Sequence, residues 1–498
     1  MWPWEPDYNQ DRQLANPAFD KHPAVIVYCA SASDVGTILR LCQGQLIPGL
    51  VLPMVMRSGG HSTAGYSAID GGVILDTSRL NGVYVDPEYR RLHAGPGTQF
   101  KMFCDTLARY GFAVTTGVCP DVCVGGYMQG GGYGWNARMF GMNCDNVLEV
   151  EVMLADGSVV LANATTNSDL LYAVGGGCGN NFGVLLRVTY RVYPLKYVHG
   201  FSIAWDIATD ADAANGAAAL DLLQRCYMGS NLDRRLGMHV ILVYQASQPD
   251  LSDSKPYLLL RVMFNGTRDE GLKALQAALE TPGAMLQWEQ EGTAHELNTR
   301  LLDYPYEIPQ FPRGVNILPE AKQSRYIDRP LGVDNWRQLI DYIRSSAVRL
   351  NTFTTAAIEV GGGAINMLPI GTNAYIHRST DGDLFCDVFW RDEAEKLKAL
   401  DYMQGWVALL EPLSNGHVYQ NYPNDSLDRW WWRYWGSAVP LLQGIKRKYD
   451  PTNFFHFAQG IGNIPPEATA PGLSESLAGV GSAVVDCIEQ PIVYLTRG

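Results

Sequence analysis

The chain has 498 residues, too many for one ordinary core and enough for two or three domains. Apolar residues make up 47% and charged residues 18%, a globular balance that excludes disorder as the ground state. A formal net charge of -13 argues against nucleic acid or an anionic membrane surface as a partner, since both select basic proteins.

In chain order, the opening MWPWEPDYNQDRQ lacks a basic stretch followed by an apolar one, so no signal peptide is visible. No apolar run approaches the roughly 20 residues that a membrane-spanning helix needs. The compartment stays open between soluble cytoplasmic and secreted. From about Pro23 to Pro194 the sequence reads as short strands between glycine-rich turns. AVIVY (24–28), VILDTS (73–78), VLEVEVML (147–154) and VLLRVTYRV (184–192) are β-branched runs of strand length. SDVGTILRLC (33–42) predicts a helix with Ser33 or Asp34 at its N-cap. Beyond about residue 196, AANGAAALDLLQRCY and DEGLKALQAALE predict helices, and HVILVYQ, YLLLRVMF and NTFTTAAIEVGG predict strands. This predicts a sheet with helices on one face. Residues 416–466 are dense in aromatics, and the tail 467–498 is rich in Ala, Gly and Ser and suggests no role. The fold class expected is α+β, divided as 1–196, 197–415, a returning segment 416–466 and the tail.

The ten cysteines form no C-x-x-C pair, and the nine histidines form no H-E-x-x-H, so no metal site is expected. Chemistry concentrates instead in three glycine loops: RSGGHS (57–62), GVCPDVCVGGYMQGGGYGWNARMFG (117–141) and VGGGCGNNFGV (174–184). Successive glycines let backbone N–H groups converge on an anion without a Cβ in the way. One Gly-Gly pair is a turn; three such loops in one region point to a diphosphate-bearing cofactor. GYGWNA (132–137) matches a loose dinucleotide pattern, but no strand leads into it, which argues against a Rossmann NAD site.

These loops, in the same order as the terminal YQNYP…WGS…YDPTNFFHFAQGI, resemble the berberine bridge enzyme-like group of the vanillyl-alcohol-oxidase flavoproteins over about residues 20–466. The resemblance implies a two-part FAD-binding domain of the PCMH type and a substrate domain with a mainly antiparallel sheet covered by helices. It implies FAD bonded through its 8α carbon to His61 and through C6 to Cys119. Cofactor contacts are expected from Arg57, Ser58, Gly59, Gly60, Ser62, Val122, Gly125, Gly126, Tyr127, Gly130, Gly131, Gly179, Phe182, Gly183, Val184 and Asn421. Two departures lie inside this loop: Cys123 stands where the family has glycine, and Tyr127 replaces a common histidine. Cys123 also leaves open that it pairs with Cys119 or ligates something with it.

The family's base is the second tyrosine of Y-x-N-Y, here Tyr422, with Tyr419 its partner in the motif and Tyr133 on the substrate side of the flavin. A phenol with a pKa near 10 is a poor base unless its anion is stabilised. Val122 falls where the family gates oxygen, and valine is permissive, which implies an oxidase making hydrogen peroxide. Trp430, Trp431, Trp432 and Trp435 offer sugar stacking, with core packing the stronger expectation. The implied activity is oxidation of the anomeric hydroxyl of a mono- or oligosaccharide to a lactone, with a small-molecule substrate and O2 as partners and a monomer or homodimer as the assembly. The alternative is a tailoring oxidase of an alkaloid, polyketide or glycosylated antibiotic. Thr63, where some oligosaccharide oxidases have tyrosine, weighs toward that alternative.

Overall fold

Strand alternation builds this molecule around three main sheets. The computed structural model describes residues 1–229, 233–245, 254–303, 318–345 and 354–466. The start of the predicted strand run at 351–362 and the tail 467–498 lie outside these residues.

The first sheet is parallel and three-stranded, with Val73–Asp76 between Val25–Tyr28 and Met54–Arg57. A parallel sheet needs both faces covered. The helix Ala32–Cys42 covers one face through Val35, Ile38 and Leu39. The N-terminal segment covers the other through Leu14, with Met1 and Phe19 beside it. The helix is capped by Ser31, whose side chain accepts from the Asp34 N–H while Asp34 accepts from the Ser31 N–H. The predicted caps, Ser33 and Asp34, are corrected accordingly: Asp34 is the third helical residue of a capping box, an arrangement whose loss costs about 1 kcal/mol.

The second sheet is antiparallel and five-stranded, in the order Val83–Asp86, Arg91–Ala94, Val184–Arg191, Val147–Met153, Val159–Asn163. Three of the four sequence-predicted strands of this half agree with the observed ones to within one residue, and VILDTS ends two residues early at Asp76.

The third sheet has seven antiparallel strands in the order Met285–Gly292, Val198–Asp206, Lys255–Phe264, Leu236–Gln245, Thr355–Val360, Gly382–Phe389, Glu320–Ile327. Side chains alternate along each strand, so its two faces differ in kind. One face presents Phe201, Ile203, Trp205, Val240, Leu260, Ile358, Leu384 and Val388 to helices Asp210–Tyr227, Val333–Ser345 and Glu393–Leu410. Ile340 and Trp406 are among the helix residues buried there. Each such buried side chain contributes about 1.5–3 kcal/mol. The other face turns toward the glycine loops and carries His239, Arg261, Lys322, Glu359, Asp383 and Asp387.

The predicted helix DEGLKALQAALE is two short ones, Arg268–Ala274 and Gln276–Leu279, joined at the fully buried Leu275. The segment 416–466 returns to the first half of the chain. There, buried Lys446 donates to Asn181 O, Asp450 Oδ2 and Phe455 O, each at 2.6 Å. A second buried cation, Arg378, grips Asp145 with both terminal nitrogens at 2.6 and 2.7 Å, tying the loop before Gly382–Phe389 to the turn before Val147–Met153.

Candidate active site

The three glycine loops meet. The Met56 N–H donates to Asn180 Oδ1 at 3.1 Å, and the N–H groups of Gly176 and Cys178 donate to Gln129 O at 3.0 and 2.8 Å. A Cβ built on Gly59 would stand 3.1 Å from Cys123 N and 3.2 Å from Cys123 Sγ, so glycine lets the first loop lie this close to the second without pushing it back. The segment Tyr419–Tyr422 closes the assembly from behind. Gln420 Nε2 donates to Gly176 O at 3.0 Å and Asn421 Nδ2 to Tyr127 O at 2.9 Å. The Tyr419 hydroxyl accepts from the N–H groups of Gly132 at 2.9 Å and Tyr133 at 3.1 Å. Tyr419 is thereby a buried brace for the glycine run.

The sequence-predicted cofactor residues divide by position. His61 and Cys119 are accessible on one rim: His61 Nε2 lies 3.2 Å from Asp121 Oδ2, two residues past Cys119. Gly126 is exposed and has nothing within 4 Å of a built Cβ, which marks open space beside the converging loops. Ser58 Oγ faces Gly125, Gly60 has φ 75, and Ser62 Oγ accepts from the Tyr66 N–H. Gly179 faces Gln129, Gly130 abuts Asn421, and Gly131 lies against Tyr375. Val122 is half-buried against the core, its carbonyl accepting from the Phe100 N–H at 3.0 Å. Arg57 sits behind the loop, its Nε donating to Asp76 at 2.6 Å and Nη1 to Asp11 O at 2.8 Å, so its charge is already matched. Phe182, Gly183 and Val184 also lie behind, packed in the core or against strand Val147–Met153. Cys119 and Cys123 are both thiols and not a disulfide. Cys119 is exposed, while buried Cys123 donates to Gly97 O at 3.4 Å, which removes the pairing that sequence left open. Among the described residues no cluster of His, Cys, Asp and Glu could hold a metal ion. The glycine lining, open at Gly126 and with an imidazole and a thiol on one rim, fits a flavin dinucleotide.

Opposite the loops stands the polar face of the seven-stranded sheet. Pairing register places Tyr326, Asp383, Glu359, His239 and Arg261 in one row across it, and Lys322, Asp387 and Thr355 in another. Tyr422 stands over both rows. Its hydroxyl donates to Glu359 Oε1 at 2.5 Å, and Lys322 Nζ lies 4.5 Å from its ring centre. Lys322 also holds Asp387 at 2.6 Å. Burial pushes the Glu359 carboxyl up to about 7, against the pull of the Tyr422 hydrogen bond and Lys322. Burial, and then Glu359, hold the Tyr422 phenol well above its ordinary range. Burial opposes the Lys322 charge, but Asp387 and Glu320 outweigh it and hold the ammonium above its usual range.

Tyr133 reaches the same sheet and donates to Val360 O at 2.9 Å, with Met238 O at 3.2 Å. His239 packs on Trp135, ring centres 4.1 Å apart and tilted by 35°, and is pushed down to about 3 by burial, with Arg261 adding to it, so it is neutral. The tryptophans are structural in their contacts. Trp435 is fully buried and donates to Gly176 O at 3.0 Å, Trp430 and Trp431 pack on the core, and Trp432 stacks on His417. Thr63 Oγ1 donates to Pro423 O at 3.0 Å.

Sequence reasoning missed Glu359, Lys322, Asp387 and Asp121. Glu359 and Asp387 carry a signal after the fact: each is a lone carboxylate inside an apolar strand run, AAIEV and LFCDVF.

Comparison with known proteins agrees with this geometry. A family model described as an FAD binding domain matches residues 23–163, and one described as berberine and berberine like matches residues 418–462. The chain is 26% identical to the FAD-linked oxidoreductase YvdP of Bacillus subtilis, over 93% of this chain and 96% of that one. It is 24% identical to a carbohydrate oxidase of Microdochium nivale, over 92% of each. The solved structure of BBE-like 1 from Physcomitrella patens superposes with a TM-score of 0.80 at 22% identity, covering 93% of this chain and 96% of that one. Three glycine loops that meet, the matched segments at both ends and the shared fold lead to one statement: the chain is an FAD-linked oxidoreductase, similar in sequence and fold to the berberine bridge enzyme-like flavoproteins.

Proposed function

We propose that this enzyme is an oxidase of an alcohol carbon, most simply the anomeric hydroxyl of a mono- or oligosaccharide, which it converts to a lactone with O2 reduced to hydrogen peroxide. The observation that carries the reading is the pair of half-buried Tyr422 and buried Glu359, joined over 2.5 Å. A flavin, when bound, supplies the hydride acceptor at N5; the protein must supply a sink for the hydroxyl proton. Tyr422 as a lone phenolate is disfavoured here, because burial and Glu359 both raise its pKa. The pair solves the problem: the substrate hydroxyl gives its proton to the Tyr422 oxygen as Tyr422 passes its own to Glu359. A carboxyl poised at about 7 is matched to that task near neutral pH. Lys322 beside both groups offsets the negative charge before the transfer. In this reading FAD is held by the three glycine loops and tethered at His61 (8α) and Cys119 (C6). The carbohydrate oxidase among its relatives supports a sugar as substrate.

A second reading, oxidation of a natural-product alcohol, is favoured by the row between the two polar ones: Phe385, Ala357, Ile241 and Leu259 make an apolar stripe. The test is peroxide release in air with glucose, lactose, and cello-, malto-, xylo- and chito-oligosaccharides beside benzylic and allylic alcohols. Steady turnover on a sugar supports the first reading. Silence on every sugar with turnover on an aromatic or allylic alcohol replaces it with the second.

A further inference from the structure

His61 and Asp121 come from loops sixty residues apart in sequence, yet His61 Nε2 and Asp121 Oδ2 lie 3.2 Å apart, each about a quarter exposed. Both backbones are fixed. Pro120 O accepts from the Lys101 N–H at 2.8 Å and Val122 O from the Phe100 N–H at 3.0 Å, so Asp121 sits between two anchored carbonyls. On the other side, Gly59 is wedged against Cys123 and Gly60 O accepts from the Ala15 N–H at 3.1 Å. The pair is therefore a built contact between two rigid loops and not a surface ion pair of chance.

We propose that Asp121 is the positioning residue of the cofactor tether. This rests on the reading that FAD is bonded to His61. A carboxylate at Nε2 fixes the proton on that nitrogen, because only an N–H makes a hydrogen bond there. Nδ1 is then the nitrogen that carries the lone pair, and the ring is held in one orientation.

Attachment forms a bond between Nδ1 and the 8α-methyl carbon of the flavin. The methyl loses one hydrogen as a proton, and the electron pair of that C–H bond is taken by dioxygen. Dioxygen leaves as hydrogen peroxide, its two protons being the methyl's and the one on Nε2. As Nδ1 becomes alkylated the Nε2 proton grows more acidic, and Asp121 is the group placed to receive it. The same carboxylate also opposes the positive charge that would otherwise build on the ring.

The test uses the Cys119→Ala variant, in which His61 is the remaining tether. The readout is flavin that stays with the chain after acid precipitation, located by peptide mapping. We expect Cys119→Ala to keep its flavin on His61. Adding Asp121→Asn should lower the acid-stable fraction by about tenfold or more, the size seen when a partner orienting a ligating histidine is removed. Asp121→Glu, in the same background, should restore much of it. Non-covalent FAD uptake and the thermal transition of each variant report whether the chain is folded. An Asp121→Asn double variant that attaches flavin to His61 as fully as Cys119→Ala overturns the proposal. If Cys119→Ala alone holds no acid-stable flavin, it is the histidine tether that falls, and Asp121's role falls with it.

Discussion

Tyr422 and Glu359 are separated by 63 residues of chain and by 2.5 Å of space, one on the returning C-terminal segment and the other on an inner strand of the seven-stranded sheet. The pair forms only when the two parts of the molecule are docked. The phenol donates its proton in the bond, and burial pushes the accepting carboxyl up to about 7.

Turnover should follow the ionisation of Glu359, since only its carboxylate form accepts a proton. We expect kcat/KM to rise with pH and level off above about 7. Glu359→Gln should abolish that limb, and Tyr422→Phe should lower turnover by about a hundredfold to ten-thousandfold, the range for a lost general base. Steady-state rates across pH 5 to 9 check both. A Tyr422→Phe enzyme with near-normal rates would remove Tyr422 from the proton path.

The same carboxyl makes a prediction about stability with an opposite sense. A glutamate whose folded pKa is raised from 4.5 to about 7 keeps its proton longer when folded than when unfolded. Stability linked to it is therefore lost as pH rises through this window. Glu359→Gln removes the burden and should gain on the order of 3 kcal/mol at pH 8 relative to pH 4. Thermal unfolding of both proteins at the two pH values measures the difference.

Lys322 is the cation that holds the Glu359 pKa down. Lys322→Met should move the acid limb of the rate profile to higher pH, and Lys322→Arg should leave it nearer its place. The same change strands Asp387, a mostly buried carboxylate 2.6 Å from Lys322 Nζ, at a cost of about 3–5 kcal/mol. Lys322→Met with Asp387→Leu should recover most of that stability while the shifted pH profile persists. Denaturant unfolding and rate profiles separate the two effects.

Gly132 has φ 85, and a Cβ there would stand 2.4 Å from the Tyr127 ring and 2.6 Å from Asn143 Cβ. Gly132→Ala should cost several kcal/mol, from backbone strain and overlap together, and weaken FAD retention. Gly126→Ala meets nothing within the protein and should fold normally, with any loss confined to the cofactor. Thermal shift with and without added FAD distinguishes the two.

Much of the first half of the molecule was legible because its strands are short, β-branched and bounded by glycine, and because local signals suffice for them. The helix start was misplaced by two or three residues because Ser31, Ser33 and Asp34 are all competent caps, and only the reciprocal Ser31–Asp34 bonds decide. The break at Leu275, where the backbone turns to φ -92 and ψ 2, has no signal in the sequence, since leucine is a good helix former. His61, Cys119 and Tyr422 were named through motif resemblance. Glu359 and Lys322 belong to no motif; they became part of the site through strand register across segments far apart in sequence, which periodicity within one strand cannot reveal.

The hydroxyl that braces the Gly132 turn belongs to Tyr419, 287 residues further on. A growing chain therefore carries all three glycine loops long before it has the residue that shuts them. Without that later segment the loops keep only the bonds they make to one another, such as Met56 N–H to Asn180 Oδ1. A chain cut short before Tyr419 is therefore expected to lack this brace and to hold flavin less firmly.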